Sequence, residues 1–228
     1  MRIALIGAMD VEVSFLIDNL ANKNKEVANQ FIFYTGLIEG KDVVVVKSGV
    51  GKTMSGVLIG TLINKYPDIS HIINVGIAGG LNHLKIGDIV VGNSYVYGDV
   101  DLSSAGDYVF GRMANCPFIF SADKFLLDKC KSLTKHFGTI CTTDQFMVDA
   151  NKINKLIVDH FADLDIYAFD MESTAFAQAA YFFKIPFLAV RAISDIIGSE
   201  KEEEKYDLNF ELASLNSNKF ILELMKKI

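Results

Sequence analysis

Strand-like and helix-like segments alternate along the whole of this 228-residue chain. Short apolar runs rich in β-branched residues, typical of strands, occupy residues 2–7, 31–35, 43–47, 72–75, 89–96, 139–142 and 186–192. Amphipathic or apolar segments of helical length lie between them, at residues 11–20, 52–65, 122–136, 151–161, 171–183 and 208–227. Several strand-like runs are apolar at consecutive positions, which indicates a sheet buried on both faces. The alternation, without a long linker or a repeat, predicts one α/β domain over residues 1–228 with helices packed outside a central sheet.

The charge balance argues against nucleic acid and anionic membranes as partners. The chain has 22 basic and 28 acidic residues and a formal net charge of -6, so it has no bulk attraction to polyanions. No run reaches the roughly 18–20 uncharged apolar residues of a membrane helix, and the apolar stretch at the N-terminus is too short for a signal peptide. Three cysteines at wide spacings, Cys116, Cys130 and Cys141, suit neither a disulfide framework nor a zinc site. We therefore expect a cytoplasmic protein.

Common nucleotide-binding and metal-binding motifs are absent from the sequence. The segment KSGVGKT at residues 47–53 resembles a Walker A loop, but Val46 stands where that loop needs glycine. Neither a dinucleotide fingerprint nor a nucleophile-elbow serine is present. The four histidines are scattered without metal-ligand spacing, at His71, His83, His136 and His160. The sequence therefore predicts no metal and no cofactor, and any catalysis depends on carboxylates.

Acidic residues stand at the ends of strand-like runs, where open α/β sheets bind ligands. Glu12 follows the first strand at the start of the first helix, whose dipole stabilises a carboxylate; a purely structural role fits equally well there. Asp170 and Glu172 precede a nearly charge-free helix. Asp170 is a candidate N-cap of that helix, with Ser173 or Thr174 as alternatives, which leaves Glu172 without a simple structural explanation.

Asp195 follows the last strand-like run, which is the most convincingly buried of them. Burial there would favour the protonated form of its carboxyl group, as a general acid requires. Arg191, one of three arginines, lies in the same segment and could lower the pKa of a neighbouring carboxylate. An acid and a base with different pKa values are thus available at one edge of the predicted sheet.

Six short motifs occur in one order and spacing from the N-terminus to Asp195. They are IGAM at residues 6–9 with Glu12, KSGVGK at 47–52, NVGIAGG at 74–80, GDIVV at 87–91, DME at 170–172 and RAISD at 191–195. Together they resemble the bacterial 5'-methylthioadenosine/S-adenosylhomocysteine nucleosidases of the nucleoside phosphorylase superfamily. The resemblance covers nearly the whole chain and implies a single α/β domain with a mixed, partly barrel-like central sheet surrounded by helices. It also implies a small-molecule nucleoside substrate and a homodimer whose partner subunit completes part of the site.

The resemblance assigns the three acids to hydrolysis of the bond between adenine and ribose. Asp195 resembles the residue that protonates adenine N7, so that the base leaves neutral. Glu12 looks like the base that deprotonates the attacking water, and Glu172 looks like the acceptor for the ribose hydroxyl groups. Glycosidases divide acid and base duties between two carboxyl groups in a similar way. The implied products are adenine and a 5-thioribose compound, as in methionine salvage and the recycling of S-adenosylmethionine by-products.

The other positions that resemble the family's site contact the substrate or support the acids. Phe146 would stack on adenine, the backbone of Met147 would contact its Watson–Crick edge, and Met171 would lie under the sugar. Arg191 and Ser194 would be supporting contacts. The remaining lining residues would be Ile77, Ala78 and Gly79 in the glycine loop, then Met9, Val50 and Tyr206 in the sugar and alkylthio pocket, and Leu102 from the partner subunit.

Three alternatives share this pattern. A nucleoside phosphorylase of the same fold would replace water with phosphate, but phosphate needs a cationic cradle and the candidates are Arg191 and Lys47. A futalosine-type hydrolase would use the same acids on a different 5' group. A catalytically silent nucleoside-binding protein would not need Glu12 together with Asp195. Hydrolysis is favoured because both acids are present and arginine is scarce. The acidic run at residues 200–205 is expected to be a solvated loop or helix entrance.

Overall fold

The computed structural model describes the backbone of residues 1–199 and 203–228 and the side chains of residues 1–199 and 208–228. Over these residues the chain forms ten strands, six helices and one 3-10 turn at Ser103–Ala105. The strands are β1 (Arg2–Gly7), β2 (Ala21–Ala28), β3 (Phe31–Ile38), β4 (Lys41–Lys47), β5 (Ile69–Gly80), β6 (Ile89–Tyr97), β7 (Phe120–Ser121), β8 (His136–Thr142), β9 (Ile166–Asp170) and β10 (Phe187–Ile196). The helices are α1 (Asp10–Asp18), α2 (Lys52–Lys65), α3 (Lys124–Cys130), α4 (Ala150–His160), α5 (Ser173–Phe183) and α6 (Glu203–Met225).

Five of the strands close into a barrel. β5 is parallel to β10, β10 is antiparallel to β6, β6 and β9 are each parallel to β8, and β9 returns antiparallel to β5. β5 also pairs in parallel with β1, from which β4, β3 and β2 extend the sheet outward. The sheet is therefore mixed in direction and partly barrel-like, as the resemblance implied.

Helices cover both faces of the open part of the sheet. On one face, α2 and α5 bury Leu58 and Phe176 in a cluster with Ile6 of β1. On the opposite face, α1, α3 and α6 bury a second cluster that contains Leu5 and Leu16. Neighbouring residues of β1 belong to different clusters because successive side chains of a strand point to opposite faces. Full burial of such an aliphatic side chain contributes about 1.5–3 kcal/mol, which accounts for the consecutive apolar residues in the strands.

The sequence pattern does not predict β2, β7 or β9. β2 has the sequence ANKNKEVA and is largely exposed, because it is the edge strand and, among the described strands, pairs with β3 alone. Polar, lysine-bearing edge strands resist pairing with other chains, but they lack the alternating apolar pattern by which a strand is recognised. β7 and β9 have two and five residues and are too short to give a clear period. No helix among the described residues combines the length and the apolar character needed to cross a bilayer.

The helix predicted at residues 122–136 is shorter in the structure, where α3 spans Lys124–Cys130. Asp123 begins it by accepting a hydrogen bond from the backbone N–H of Leu126 at 2.9 Å. Beyond the helix, the hydroxyl of Thr134 donates to the carbonyl of Ile89 at 2.8 Å and ties the chain to β6 before β8 begins. A tertiary contact therefore accompanies the end of this helix, and the local sequence pattern does not reveal it.

Candidate active site

A cavity of about 150 Å³ opens at the carboxyl ends of β1, β5, β9 and β10. Four carboxylates line it: Glu12, Asp170, Glu172 and Asp195. No lysine, arginine or histidine is among the described residues of its wall. The other lining residues are Met9, Val50, Ile77, Ala78, Gly79, Gln145, Phe146, Met147, Phe169, Met171, Ser194 and Phe210. The cavity is therefore apolar over most of its wall, and its ionisable groups are all acids.

Glu12 is held by backbone amides from two separate segments. Its Oε2 accepts hydrogen bonds from the N–H groups of Ala8 at 2.6 Å and Met9 at 3.0 Å, and its Oε1 accepts one from Ile77 at 3.1 Å. Gly76 is required beside it, because a Cβ there would lie 2.5 Å from Oε1. Burial raises the pKa of Glu12, and the charge of Arg191 and the three backbone hydrogen bonds act in the opposite direction. The carboxylate is thus fixed in place and is more basic than an exposed glutamate.

Glu172 stands at the N-cap position of α5 and reaches across the site to α2. Its Oε1 accepts a hydrogen bond from the backbone N–H of Gly51 at 2.9 Å. Gly51 has a φ of +96°, a left-handed conformation that suits glycine just before the helix. Burial, followed by the negative charge of Asp170, raises the pKa of Glu172 to about 8. This acid therefore exchanges its proton near neutral pH.

Arg191 lies behind the cavity wall and forms a buried ion pair with Asp170, which is part of the wall. Nη2 and Nε of Arg191 lie 2.8 Å and 3.0 Å from Oδ2 of Asp170. Nη2 also donates to Oγ of Ser173 at 2.8 Å and to the side chain of Asn74, and Nη1 donates to the carbonyls of Asn74 and Val190. All three guanidinium nitrogens are therefore engaged within the protein.

Asp195 is placed by an irregularity near the end of β10. The pairing of β10 with β5 shifts register between Ile193 and Asp195, and such bulges redirect side chains. Asp195 is half-buried and lines the cavity, and the hydroxyl of Ser194 donates to its Oδ1 at 2.8 Å. The same irregularity leaves both Ser194 and Asp195 on the cavity wall. A hydrogen-bond donor thus accompanies this acid at the edge of the site.

Phe146 and Met147 follow β8 and line the cavity. The hydroxyl of Thr143 donates to the carbonyl of Gln145 at 2.6 Å and tightens the turn that precedes the aromatic ring. Phe146 lines the cavity although 58% of its surface is exposed. A ring so placed can stack on a planar ligand bound in the cavity.

Comparison with known proteins identifies the family of the chain. The family profile described as Phosphorylase superfamily matches residues 2–226. The 5'-methylthioadenosine/S-adenosylhomocysteine nucleosidase of Bacillus licheniformis is 38% identical, over 100% of both chains. The structure of that enzyme from S. pneumoniae with a transition-state inhibitor has a TM-score of 0.92 and 32% identity, and 99% of each chain is covered. The adenine complex from Colwellia psychrerythraea has a TM-score of 0.92 and 32% identity, and covers 100% of this chain and 95% of that one.

The chain belongs to the phosphorylase superfamily. Within it, the relatives place the chain in the family of the 5'-methylthioadenosine/S-adenosylhomocysteine nucleosidases, which are N-glycosidic hydrolases. The family that the sequence motifs resemble is therefore confirmed. The predicted α/β fold class, with a partly barrel-like sheet surrounded by helices, is confirmed by the same structures.

Most positions that resemble the nucleosidase site lie together on the cavity wall. They are Met9, Glu12, Val50, Ile77, Ala78, Gly79, Phe146, Met147, Met171, Glu172, Ser194 and Asp195. A shared reaction requires Glu12 and Asp195 to lie close enough for one nucleoside to reach both. They line the same cavity, so a single nucleoside has access to both.

Of the three other expected residues of the nucleosidase site, Arg191 and Leu102 do not line this cavity. Arg191 was expected as a supporting contact, but its guanidinium lies behind the wall because Asp170 and Asn74 hold it there. Leu102 packs against the core cluster under α2 and α5 and does not line the cavity of its own chain. The side chain of Tyr206 lies outside the described residues.

Four lining residues were not predicted as site residues: Gln145, Phe169, Asp170 and Phe210. Asp170 does cap α5, since its Oδ2 accepts a hydrogen bond from the N–H of Ser173 at 3.1 Å, although Glu172 holds the N-cap position. Its second role, as partner of Arg191, depends on a contact with a residue 21 positions away in the sequence. Phe210 lies on α6, where an amphipathic pattern does not distinguish a residue facing a cavity from one facing the core. Gln145 could have been found as the neighbour of Phe146.

We expect Glu172→Gln to stabilise the fold in a pH-dependent way. The pKa of Glu172 is higher in the folded chain, at about 8, than its ordinary value, so the stability that its neutral form provides is present at low pH and is lost as pH rises through about 8. Glutamine keeps an acceptor for Gly51 and does not ionise. Calorimetry should give a Tm gain over the natural chain that grows as pH rises from about 4.5 to about 8 and is constant above that, with about 2–4 °C for each kcal/mol.

Glu223→Gln is the matched control for that measurement. Glu223 is an exposed acid of α6 and is paired with Lys226. Its replacement should change Tm by the same amount at every pH in that range. A Tm difference for Glu172→Gln that does not vary with pH would contradict the assigned ionisation.

Proposed function

We propose that this chain hydrolyses the N-glycosidic bond of 5'-methylthioadenosine and S-adenosylhomocysteine and releases adenine. The observation that carries the proposal is the cavity wall, which holds four carboxylates and no cationic side chain among the described residues. Breaking an N-glycosidic bond develops positive charge on the sugar, as in glycoside hydrolysis. Negative groups fixed around that charge favour the transition state over the neutral ground state. The names of the relatives support the choice of nucleosides.

The two acids at opposite ends of the glycine loop divide the proton transfers. Asp195 would donate a proton to N7 of adenine, because a purine anion is a poor leaving group. Glu12 would accept a proton from the attacking water, and burial favours this role by raising its pKa and so its basicity. Each positioned proton transfer typically contributes about 10² to 10⁴ in rate.

The remaining wall would position the nucleoside. Glu172 would accept hydrogen bonds from the ribose hydroxyl groups, Met171 would lie beneath the sugar, and Phe146 would stack on the base. The backbone of Met147 would contact the Watson–Crick edge of adenine. The apolar side chains of Met9, Val50 and Phe210 line the cavity and suit a 5'-alkylthio group better than a free hydroxyl.

Water rather than phosphate is the proposed nucleophile. A phosphate dianion needs cationic donors in the cavity, and Arg191 is committed to Asp170, Ser173 and Asn74. Lys47 is paired with Asp10 at 2.7 Å on the exposed surface. Phosphate would also enter a cavity whose ionisable groups are all acids, and those that are ionised would repel it.

A homodimer is part of the proposal, with Leu102 of one subunit near the 5' pocket of the other. α2 and α5 pack side by side and expose Met54, Val57, Tyr181 and Phe182, a large apolar surface for a monomer. Leu102 packs against the core cluster beneath these helices and is only partly buried. A twofold contact through this face would therefore carry Leu102 toward a partner subunit.

We place the reaction in the cytoplasm, as a step of methionine salvage and of the recycling of S-adenosylmethionine by-products. Cys116, Cys130 and Cys141 are free and buried, which suits a reducing compartment. Recovery of the protein mainly from an extracellular fraction would contradict this placement.

Incubation with 5'-methylthioadenosine, with and without phosphate, should yield adenine and free methylthioribose in both cases. Product analysis by mass spectrometry distinguishes the alternatives. Methylthioribose 1-phosphate would mean phosphorolysis. Release of no adenine would refute the proposed substrate, and futalosine can then be tested in the same assay.

Asp195→Asn and Glu12→Gln should each lower kcat by about 10²–10⁴-fold without loss of the fold, because each removes one proton transfer. Asp10→Asn is the matched control, since Asp10 is an exposed acid in the same first turn of α1 as Glu12. Steady-state kinetics and circular dichroism check the three variants. Turnover at the natural rate in either active-site variant would exclude the role assigned to that residue.

Phe182→Glu should convert the dimer into monomers, because it puts a charge into the apolar face of α5. Light scattering of the natural chain should give twice the mass of one chain. Ile86→Glu places the same charge at an exposed apolar position in a loop away from α2 and α5 and should leave the dimer intact. A monomeric natural chain, or a dimer unaffected by Phe182→Glu, would contradict this interface.

A further inference from the structure

A charged cluster outside the cavity connects the start of α2 with Asp99 and with Asp144, which follows β8. Nζ of Lys52, the first residue of α2, lies 2.7 Å from Oδ1 of Asp99 and 3.5 Å from Oδ2 of Asp144. The ammonium group also lies 5.4 Å from the ring centre of Tyr97. The side chains of Lys52 and Asp99 are only 20% and 16% exposed, so their interaction is less screened than that of a surface pair.

Backbone hydrogen bonds also connect Lys52, Asp99 and Asp144. The N–H of Lys52 donates to Oδ1 of Asp144 at 3.0 Å, and the N–H of Asp144 donates to Oδ2 of Asp99 at 2.8 Å. The preceding residue, Gly51, donates its N–H to Glu172. Asp144 in turn precedes the segment that carries Phe146. The start of α2 and the Gly51 before it are therefore bonded to the sugar side of the site and, through Asp144, to the base side.

None of these charged groups lines the cavity. Lys52, Asp99 and Asp144 are absent from its described wall, so they do not contact a nucleoside bound there. Their effect on a ligand must pass through the residues that they hold. Without the ammonium group, the carboxylates of Asp99 and Asp144 would face each other with only backbone donors between them, and like charges at this range repel. The segment of Asp144 would then move relative to α2.

We propose that Lys52 is a positioning residue that sets the spacing between the ribose-binding carboxylate of Glu172 and the adenine-stacking ring of Phe146. The inference rests on the proposed function, because it assigns one wall to the sugar and the other to the base. Lys52 then matters most for a ligand that spans both walls. A displacement of about 1 Å between reacting groups can cost about 10²-fold in rate.

Lys52→Met tests the inference, because it keeps the aliphatic stem and removes the charge. We expect kcat/KM for 5'-methylthioadenosine to fall about 10–100-fold, whereas the inhibition constant of free adenine, which touches only the base side, should change by less than about 3-fold. Lys52→Arg should restore most of the loss, because it returns a cationic donor. Lys47→Met, at a lysine paired with exposed Asp10, should match the natural chain in both measurements.

Asp99→Asn gives an independent variant if Lys52→Met fails to fold. It removes the charge and replaces one of the two acceptor oxygens with an NH2 donor, so either Lys52 or the N–H of Asp144 loses its acceptor. We therefore expect kcat/KM to fall several-fold with adenine binding retained. Natural kinetics in Lys52→Met, or in Asp99→Asn when Lys52→Met does not fold, would overturn the inference. Equal losses of adenine binding and nucleoside turnover in a folded variant would also overturn it, because they indicate general damage to the site. Failure of the natural chain to cleave 5'-methylthioadenosine would instead refute the proposed function.

Discussion

The buried ion pair between Arg191 and Asp170 is the interaction on which the rest of the site depends. Arg191 is 1% exposed, and its positive charge acts on Glu12 and Glu172 as well as on Asp170. Burying carboxylates without a compensating cation costs several kcal/mol per ion, and removal of one partner of a buried pair costs about 3–5 kcal/mol. The arginine thus permits an apolar sheet edge to hold acids. The guanidinium group is planar and has several N–H donors, so it also fixes Asp170, Asn74 and Ser173 around it. The single ammonium group of a lysine would not do this.

The single positive charge of Arg191 does not balance the three buried acids Glu12, Asp170 and Glu172. This excess of acids favours the proposed chemistry. The pKa values of Glu12 and Glu172 remain raised because burial outweighs the attraction of Arg191. A carboxylate with a raised pKa is a stronger base while it stays ionised, which suits Glu12 for accepting a proton from water. The surplus of acids also favours a bound species on which positive charge develops. The same burial that destabilises the ionised site therefore prepares it for the proposed reaction.

The sequence predicts the framework well because its signals are local. β1, β5 and β10 are apolar runs in the sequence, and Glu12 and Asp195 follow two of them. Glu172 follows β9, which the pattern does not predict, but it lies at the start of a helix that the pattern does predict. What the sequence misses depends on contacts between distant residues. β2 is a polar edge strand, α3 ends beside a bond from Thr134 to β6, and Arg191 is drawn behind the wall by Asp170. Phe210 belongs to the wall only because α6 crosses the carboxyl end of the sheet, and the pattern of that helix does not indicate which side chain meets the opening.

The hydrogen bonds of the two buried glutamates explain why the short motifs are informative together and weak alone. Glu12 follows IGAM and is bonded to Ile77 of NVGIAGG, 65 residues away, and Glu172 of DME is bonded to Gly51 of KSGVGK, 121 residues away. Each motif therefore supplies one end of a bond whose other end lies in a different motif. A glycine loop without its carboxylate, or a carboxylate without its loop, would leave a buried donor or acceptor unpaired. Because the chain must retain both ends of each bond to bury either one, the motifs occur as a set, and the set specifies the cavity.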